Sequence, residues 1–572
     1  MKTLAIIGMG PRGLYALENV LAQLSKSKKV VEITIFESYD RLGAGPVWDE
    51  NQSESNWINI TERALDGITA RPELWYSDIC INAFPSYHQW CKFSQKDNDP
   101  DTFPPRKKLG KYLNQRCESL KKDLEKSQII DFIRSNVKNI DVSAGTFSIE
   151  TEDNIYNSED VLLTIGHQPT QLSEQIENWK SHCAVKNEMS VYAEPYPVKQ
   201  FKTLKNTTDI TIGLRGFGLA MIDVMRYLVI NDFGNFKVVD SETFETVYYK
   251  SKAQNLRLVP FSLDGLPLSP KPLNKSIDDW YLPTTTELQN FKSEIESAAQ
   301  TTNSGDSINF LIEPIAKIAA FIFYALGERR IETAHNKSEI EAITVDYLKD
   351  EKFQHALIQD ETLSTYDLIN SYINMALGEA EVSLDYCLWQ VWRHCQPTLY
   401  EAFSYANVSD ETIKKVIALD ERSKRFSYGP PIESMQQILA LVDAEIMTLD
   451  YTDNPEIELS AKGWKLSSTS DKSITTSVMI NSVLDAPKLL DVNSSIIKSL
   501  LQNEMIQPMH SDLGIETFPN AYVKSDDKNE HMSLAILGRL AKGSVIGVDA
   551  ILECFGSRIE NWAKVYVENH ED

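Results

Sequence analysis

The chain has 572 residues, enough for two to four domains with ample buried core. It carries 82 acidic against 57 basic residues, a net charge of -25, which excludes a general affinity for nucleic acid or for an anionic membrane. Its seven cysteines are scattered with no CxxC pair, a pattern of reduced thiols in a cytoplasmic protein that argues against a disulfide frame, a zinc site or a dithiol relay.

Gly8 arrives before a signal-peptide core builds up, and no apolar run approaches the roughly eighteen residues of a membrane span; Ile315 to Leu326 is interrupted by Lys317. The expectation is a soluble cytoplasmic protein without membrane contact.

Leu4 to Ile7 has the length and content of a buried parallel strand, and it breaks at Gly8-Met9-Gly10-Pro11-Arg12-Gly13 before helical spacing in Leu14 to Leu24. In that context Gly8 permits a tight turn, Gly10 lets a pyrophosphate approach main-chain N–H groups, and Gly13 lets the helix sit close on the strand. The helix start offers unpaired amides and a positive dipole end. Val30 to Phe36 reads as the second strand, and Glu37, twenty-four residues past Gly13, stands where a carboxylate would take the ribose hydroxyls of an adenine dinucleotide.

Ser38 to Trp48 is again rich in glycine, and Trp48 either covers a cofactor ring or packs as a core tryptophan. Asn51 to Asp101 shows no clean periodicity and is expected to be irregular. Phe103-Pro104-Pro105-Arg106 opens a helix running to about Leu124. The planar fork of Arg106 suits a carboxylate or phosphate, which makes it the substrate candidate, with a solvated helix-entry arginine as the alternative. Ile129 to Phe132, Val137 to Ile140, Thr146 to Glu150 and Asn154 to Tyr156 read as a β-meander. Val161 to Ile165 is a buried strand ending in Gly166, an arrangement that resembles the T-x-G element at which two-dinucleotide flavoproteins leave the FAD fold.

A second nucleotide unit begins with Ile210 to Ile212 and the glycines Gly213, Gly216 and Gly218, spaced GxxGxG, with Arg215 as a phosphate contact. Two such units imply two nucleotides exchanging a hydride, or else a second copy that packs without binding. Phe261 to Pro272 is a proline-punctuated loop. From Thr286 to Tyr451 the apolar period becomes helical, an all-helical insertion. Short strands follow, and Leu534 to Gly538, leading through Gly543 and Gly547 to Asp549 and a closing helix, reads as the element that returns to complete the first domain, with Gly538 and Asp549 beside the ribityl chain.

The order of these motifs resembles a bacterial family of FAD/NAD(P)-binding proteins with a GxGPRG loop, matched by Gly8 to Gly13, and is similar in layout to flavin-dependent N-hydroxylating monooxygenases. The resemblance implies an α/β fold with two Rossmann-like dinucleotide-binding domains, a glutathione-reductase-like FAD domain with an inserted NAD(P) domain, plus the helical insertion. The expected division is residues 1–200 and 452–572 for FAD, 201–285 for NAD(P) and 286–451 for the insertion. It further implies FAD and NADPH or NADH as cofactors. NAD(P)H would reduce FAD, and O2 would give a flavin hydroperoxide that hydroxylates the nitrogen of a small amine or amino-acid substrate. The alternatives are a flavin dehydrogenase or oxidase without oxygen insertion, and a non-catalytic flavin-binding regulator.

Overall fold

A computed structural model describes residues 1–143, 145–184, 189–207, 209–230, 232–251, 255–301, 306–525 and 533–569. In the N-terminal part run β1 (Lys2–Ile7), α1 (Pro11–Ser27), β2 (Val31–Glu37), α2 (Arg106–Leu124), β3 (Ile130–Arg134) and β4 (Asp160–Leu163). Then come β5 (Ser190–Tyr192), β6 (Asp209–Arg215), α3 (Leu219–Val229) and β7 (Asn255–Phe261). The helices α4 (Thr285–Ala299), α5 (Asn309–Ala325), α6 (Lys337–Lys349), α7 (Thr365–Leu377), α8 (Leu384–Phe403), α9 (Asp410–Ser427) and α10 (Ile432–Asp443) follow. The chain closes with β8 (Val478–Asn481), β9 (Leu534–Ile536) and α11 (Ser557–Glu568).

The first sheet has the order β9-β4-β1-β2-β3, all parallel. A parallel sheet covered on both faces needs strands that are apolar throughout, and β1 shows this directly. Leu4 and Ile6 enter the core beneath α1, with Leu14, Leu17 and Leu21. Ala5 and Ile7 enter a different core on the opposite face, with Ile140, Phe147 and Leu500. The expected four-stranded meander is three-stranded (Asn139–Ser143, Thr146–Glu150, Ile155–Ser158), because Ile130–Arg134 pairs with β2 and extends the parallel sheet.

The second sheet has the order β5-β8-β6-β7, also parallel. Its strand β8 lies in the stretch assigned from sequence to the completing part of the first domain. Residues 456–476 build a three-stranded hairpin array, 478–481 form β8 of the second sheet, and Leu534–Ile536 pairs into the first sheet. Against the expected insertion of residues 286–451, the helices run from Thr285 to Asp443, and they are not packed apart from the second sheet. Ile212 and Leu214 of β6, Met221 and Leu228 of α3, and Trp389 and Trp392 of α8 share one continuous core. The aromatic residues of α8 are packing residues, fully enclosed.

Candidate dinucleotide site and adjoining cavity

The three glycines after β1 have different duties, which a virtual Cβ separates. At Gly8 (φ +98°) it would lie 2.7 Å from the carbonyl oxygen of Thr164, and at Gly13 it would lie 2.2 Å from that of Gly8. Both positions therefore serve close packing of strand, turn and helix, and the Thr164 hydroxyl clips the turn by donating to the Gly8 carbonyl at 2.5 Å. At Gly10 the nearest atom is 4.0 Å away, the Cα of Gly45, so one face of the turn is open. Gly10 is the N-cap of α1, no side chain caps it, and Pro11 stands at the first turn where its missing N–H costs nothing.

Gly45 (φ +64°) faces Gly10, and Gly166 (φ +65°) has no atom within 4 Å of a virtual Cβ. Gly10 and Gly45 thus face each other across a gap at the positive end of a helix, a shape and polarity that fit a diphosphate. Glu37 ends β2 beside this space. Its carboxylate accepts the Met9 amide at 2.8 Å and the Tyr39 amide at 3.0 Å, which holds it in place for a ribose.

Arg12 reaches across to the C-terminal segment and donates to the carbonyl of Val548. Gly538 (φ +118°) makes room for that side chain, since a virtual Cβ there would stand 3.1 Å from Arg12 Cδ. Asp549 receives Arg539 Nε at 2.9 Å and Lys424 Nζ at 3.2 Å, and these cations hold its carboxyl well below the usual range. Arg12, Gly538 and Asp549 therefore fasten the late segment and α9 over the start of α1. Trp48 keeps its ring half-buried while its carbonyl fills the notch at Gly110, where a Cβ would come within 1.5 Å. His167 lies against Arg539, and burial followed by that charge pushes its imidazole below its ordinary value. Sequence reasoning missed Lys424, which sits in a helix whose spacing carries no signal for the cradle.

In the second unit the reading frame of the glycines changes. Gly213 lies inside β6 with Met479 packed on it, the sulfur 2.4 Å from a virtual Cβ, so it serves sheet packing and not the turn. The turn is Gly216-Phe217-Gly218. Gly216 (φ +104°) donates its amide to Phe261 at 2.7 Å, and Gly218 is the uncapped N-cap of α3 with open space around it. Arg215 donates to Gln175 Oε1 and Asn481 Oδ1, both at 2.8 Å, which ties the end of β6 to the end of β8 beside that turn.

Arg106, the substrate candidate, is engaged by protein partners. Its Nη2 pairs with Asp223 Oδ2 of α3 at 2.8 Å, its Nε donates to the Trp57 carbonyl at 3.1 Å, and it lies 5.3 Å from the ring of Tyr196. The Tyr196 hydroxyl donates to the same carboxylate oxygen at 2.6 Å. Removing one member of a buried pair strands the other. Arg106→Met is accordingly expected to cost about 3 kcal/mol of stability in urea titration.

Next to this brace lies a cavity of about 450 Å³ walled by Trp57, Phe103, Pro105, Lys108, Lys271 and Glu433. Trp57 is stacked beneath the guanidinium of Arg226, 3.8 Å from its centroid. The cavity lies between the irregular segment of the N-terminal part, the proline-punctuated loop after β7 and the start of α10, so no one stretch of sequence announces it.

Residues 5–168 match the family model described as FAD-NAD(P)-binding. Nitrosuccinic acid synthase npaA of Aspergillus oryzae is 23% identical over 570 residues, covering 90% of this chain and 83% of that protein. Among solved structures, the ornithine hydroxylase PvdA of Pseudomonas aeruginosa aligns over 100% of both chains at 11% identity and TM-score 0.45. The L-lysine 6-monooxygenase of Pseudomonas syringae does so over 100% of both at 10% identity and TM-score 0.43. Among the described residues no helix is long and apolar enough to cross a membrane.

Proposed function

We propose, from the premise that residues 5–168 are an FAD-NAD(P)-binding unit, that this protein is an FAD-dependent, NAD(P)H-using monooxygenase that hydroxylates the nitrogen of a small amino-acid-like amine. The observation that carries the reading is the relationship along most of both chains to a protein named for making nitrosuccinic acid, a dicarboxylic acid with oxidised nitrogen. The seven free thiols suit a reducing compartment, and the cytoplasm is the proposed location. The proposed division places residues 1–189 with 482–572 in the FAD unit, and 190–481, helices included, in the NAD(P) unit.

The chemistry that FAD supplies when bound is electron uptake from NAD(P)H and activation of O2. The chain's own residues do the rest. The amides after Gly10 and the start of α1 hold one diphosphate, and Glu37 holds its ribose. Gly216, Gly218 and the start of α3 hold the diphosphate of the nicotinamide nucleotide. The Arg106–Asp223–Tyr196 brace keeps the two units in one register.

The test begins with purified protein, which should be yellow and should bleach under nitrogen with NADPH or NADH. Admitting air with the correct amine should then raise O2 uptake at least tenfold and yield a product with a new N–O bond. Bleaching and reoxidation with no hydroxylated product would favour a dehydrogenase or oxidase, and protein that never takes up FAD would end the reading.

A further inference from the structure

The chain crosses from the second sheet back toward the first unit through residues 481–485, and this short strap is tied to a glycine turn at each end. At its start Arg215, the last residue of β6, donates through Nη1 to Asn481 Oδ1 at 2.8 Å, and its carbonyl accepts the Ser482 amide at 2.7 Å. Val483 packs on the turn itself, since a virtual Cβ at Gly216 would lie 3.1 Å from Val483 Cγ2. Asn481 Nδ2 also donates to the Ala193 carbonyl at 3.0 Å, which joins the strap to the outgoing crossing just after β5.

At its far end the strap meets the first cradle. Arg539 Nη2 donates to the Asp485 carbonyl at 2.9 Å, and the Thr170 hydroxyl donates to Asp485 Oδ2 at 2.7 Å. The other two arms of the same guanidinium reach His167, next to Gly166, and Asp549. Every nitrogen of Arg539 is thus used to hold strap, strand end and C-terminal segment together.

Between these anchors Val483 and Leu484 remain 37% and 47% exposed. Apolar surface held in place on a tied backbone, between two turns that each suit a diphosphate, fits the flat ring of a nucleotide that spans from one unit to the other. We infer that this strap is the wall on which the nicotinamide ring of the coenzyme rests when it meets FAD, with Leu484 as its contact and with Arg215 and Arg539 as the positioning residues that hold the wall. This rests on the reading of two dinucleotides in one chain and not on the identity of the amine. The step it serves is the passage of a hydride from NAD(P)H, oxidised to NAD(P)+, to FAD, reduced to FADH−, with nothing further consumed. A misplacement of about 1 Å in such a pair costs on the order of a hundredfold in rate. The coenzyme diphosphate is held elsewhere, at Gly216, Gly218 and the start of α3, so ring placement and affinity separate.

The experiment uses the FAD-loaded protein with Leu484→Ser and Leu484→Met. Position 484 is half-exposed, so both variants should keep the flavin absorbance and the urea midpoint of the wild type. Under nitrogen the limiting rate of flavin bleaching by NADPH should fall at least 20-fold in Leu484→Ser and stay within threefold in Leu484→Met. Calorimetry with NADP+ should give a Kd within threefold of wild type for both, while the change that NADP+ induces in the wild-type flavin spectrum should disappear in Leu484→Ser alone. Arg215→Gln should slow bleaching at least tenfold with the Kd for NADP+ held within threefold. Unchanged bleaching in Leu484→Ser overturns the inference, and so does a Kd that weakens in step with the rate or a wild-type flavin spectrum that NADP+ leaves untouched. A raised Kd with an unchanged rate in Arg215→Gln makes that residue a phosphate contact and removes it from the wall. Wild-type flavin that neither NADPH nor NADH bleaches removes the two-dinucleotide reading and the inference with it. Bleaching that leads to no hydroxylated product leaves the wall standing and removes only the monooxygenase.

Discussion

Gly10→Val is expected to give a folded protein that has lost FAD, with affinity reduced at least 100-fold and the 450 nm absorbance gone after gel filtration. The reason lies in what surrounds each glycine. An added Cβ at Gly10 stands 4.0 Å from the nearest atom of the protein, the Cα of Gly45, so a side chain can begin there without a backbone clash. It would instead stand in the space a diphosphate must enter and screen the amides at the start of α1. Gly13→Val makes the contrasting control: its Cβ would lie 2.2 Å from the Gly8 carbonyl, so that variant should misfold whether or not FAD is present. Equal loss of folding in both variants, read by circular dichroism and urea titration, would show that Gly10 is a packing residue and remove the cradle from the account. Unchanged flavin content in Gly10→Val would do the same.

A second large effect is expected from Glu18→Leu. Glu18 lies on α1 at 5% exposure and takes three guanidinium hydrogen bonds, from Arg71 Nη1 at 3.0 Å and from Arg116 Nε at 2.9 Å and Nη2 at 2.6 Å. Arg71 and Arg116 are themselves almost fully enclosed, at 2% and 1% exposure. Taking away the shared carboxylate leaves two buried cations without their counter-charge, a loss of about 3–5 kcal/mol. The urea midpoint of the first unit should fall accordingly, followed by far-UV signal and by loss of bound flavin, since α1 presents the cradle. Replacing all three charges at once, as Glu18→Leu with Arg71→Met and Arg116→Met, should recover most of that loss, because apolar side chains of similar volume need no counter-charge. A midpoint that moves by less than about 1 kcal/mol in Glu18→Leu would place the network among solvated surface pairs.

The residues that could be read from sequence are those whose duty is local. Leu4 to Ile7 is apolar at every position because both faces of β1 are covered, and the turn at Gly8 to Gly13 needs its glycines at fixed spacing, so strand, turn, helix and Glu37 were all legible within forty residues. The helical period from 285 to 443 was legible for the same reason. Arg106 shows where local reading ends. A lone arginine at a helix start looks available for a ligand, and only the approach of Asp223, more than a hundred residues later, commits it to a brace. Gly213 likewise looks like a fingerprint glycine until β8 delivers Met479 on to it.

What the sequence by itself determined is the first dinucleotide cradle, because strand period, glycine spacing and a helix start are properties of contiguous chain. The tertiary structure alone decided which sheet receives residues 478–481, which charged groups are already paired, and where the cavity at Lys271 opens. Those depend on which distant segments meet, and a side chain's availability to a ligand is set by the partners that folding brings to it.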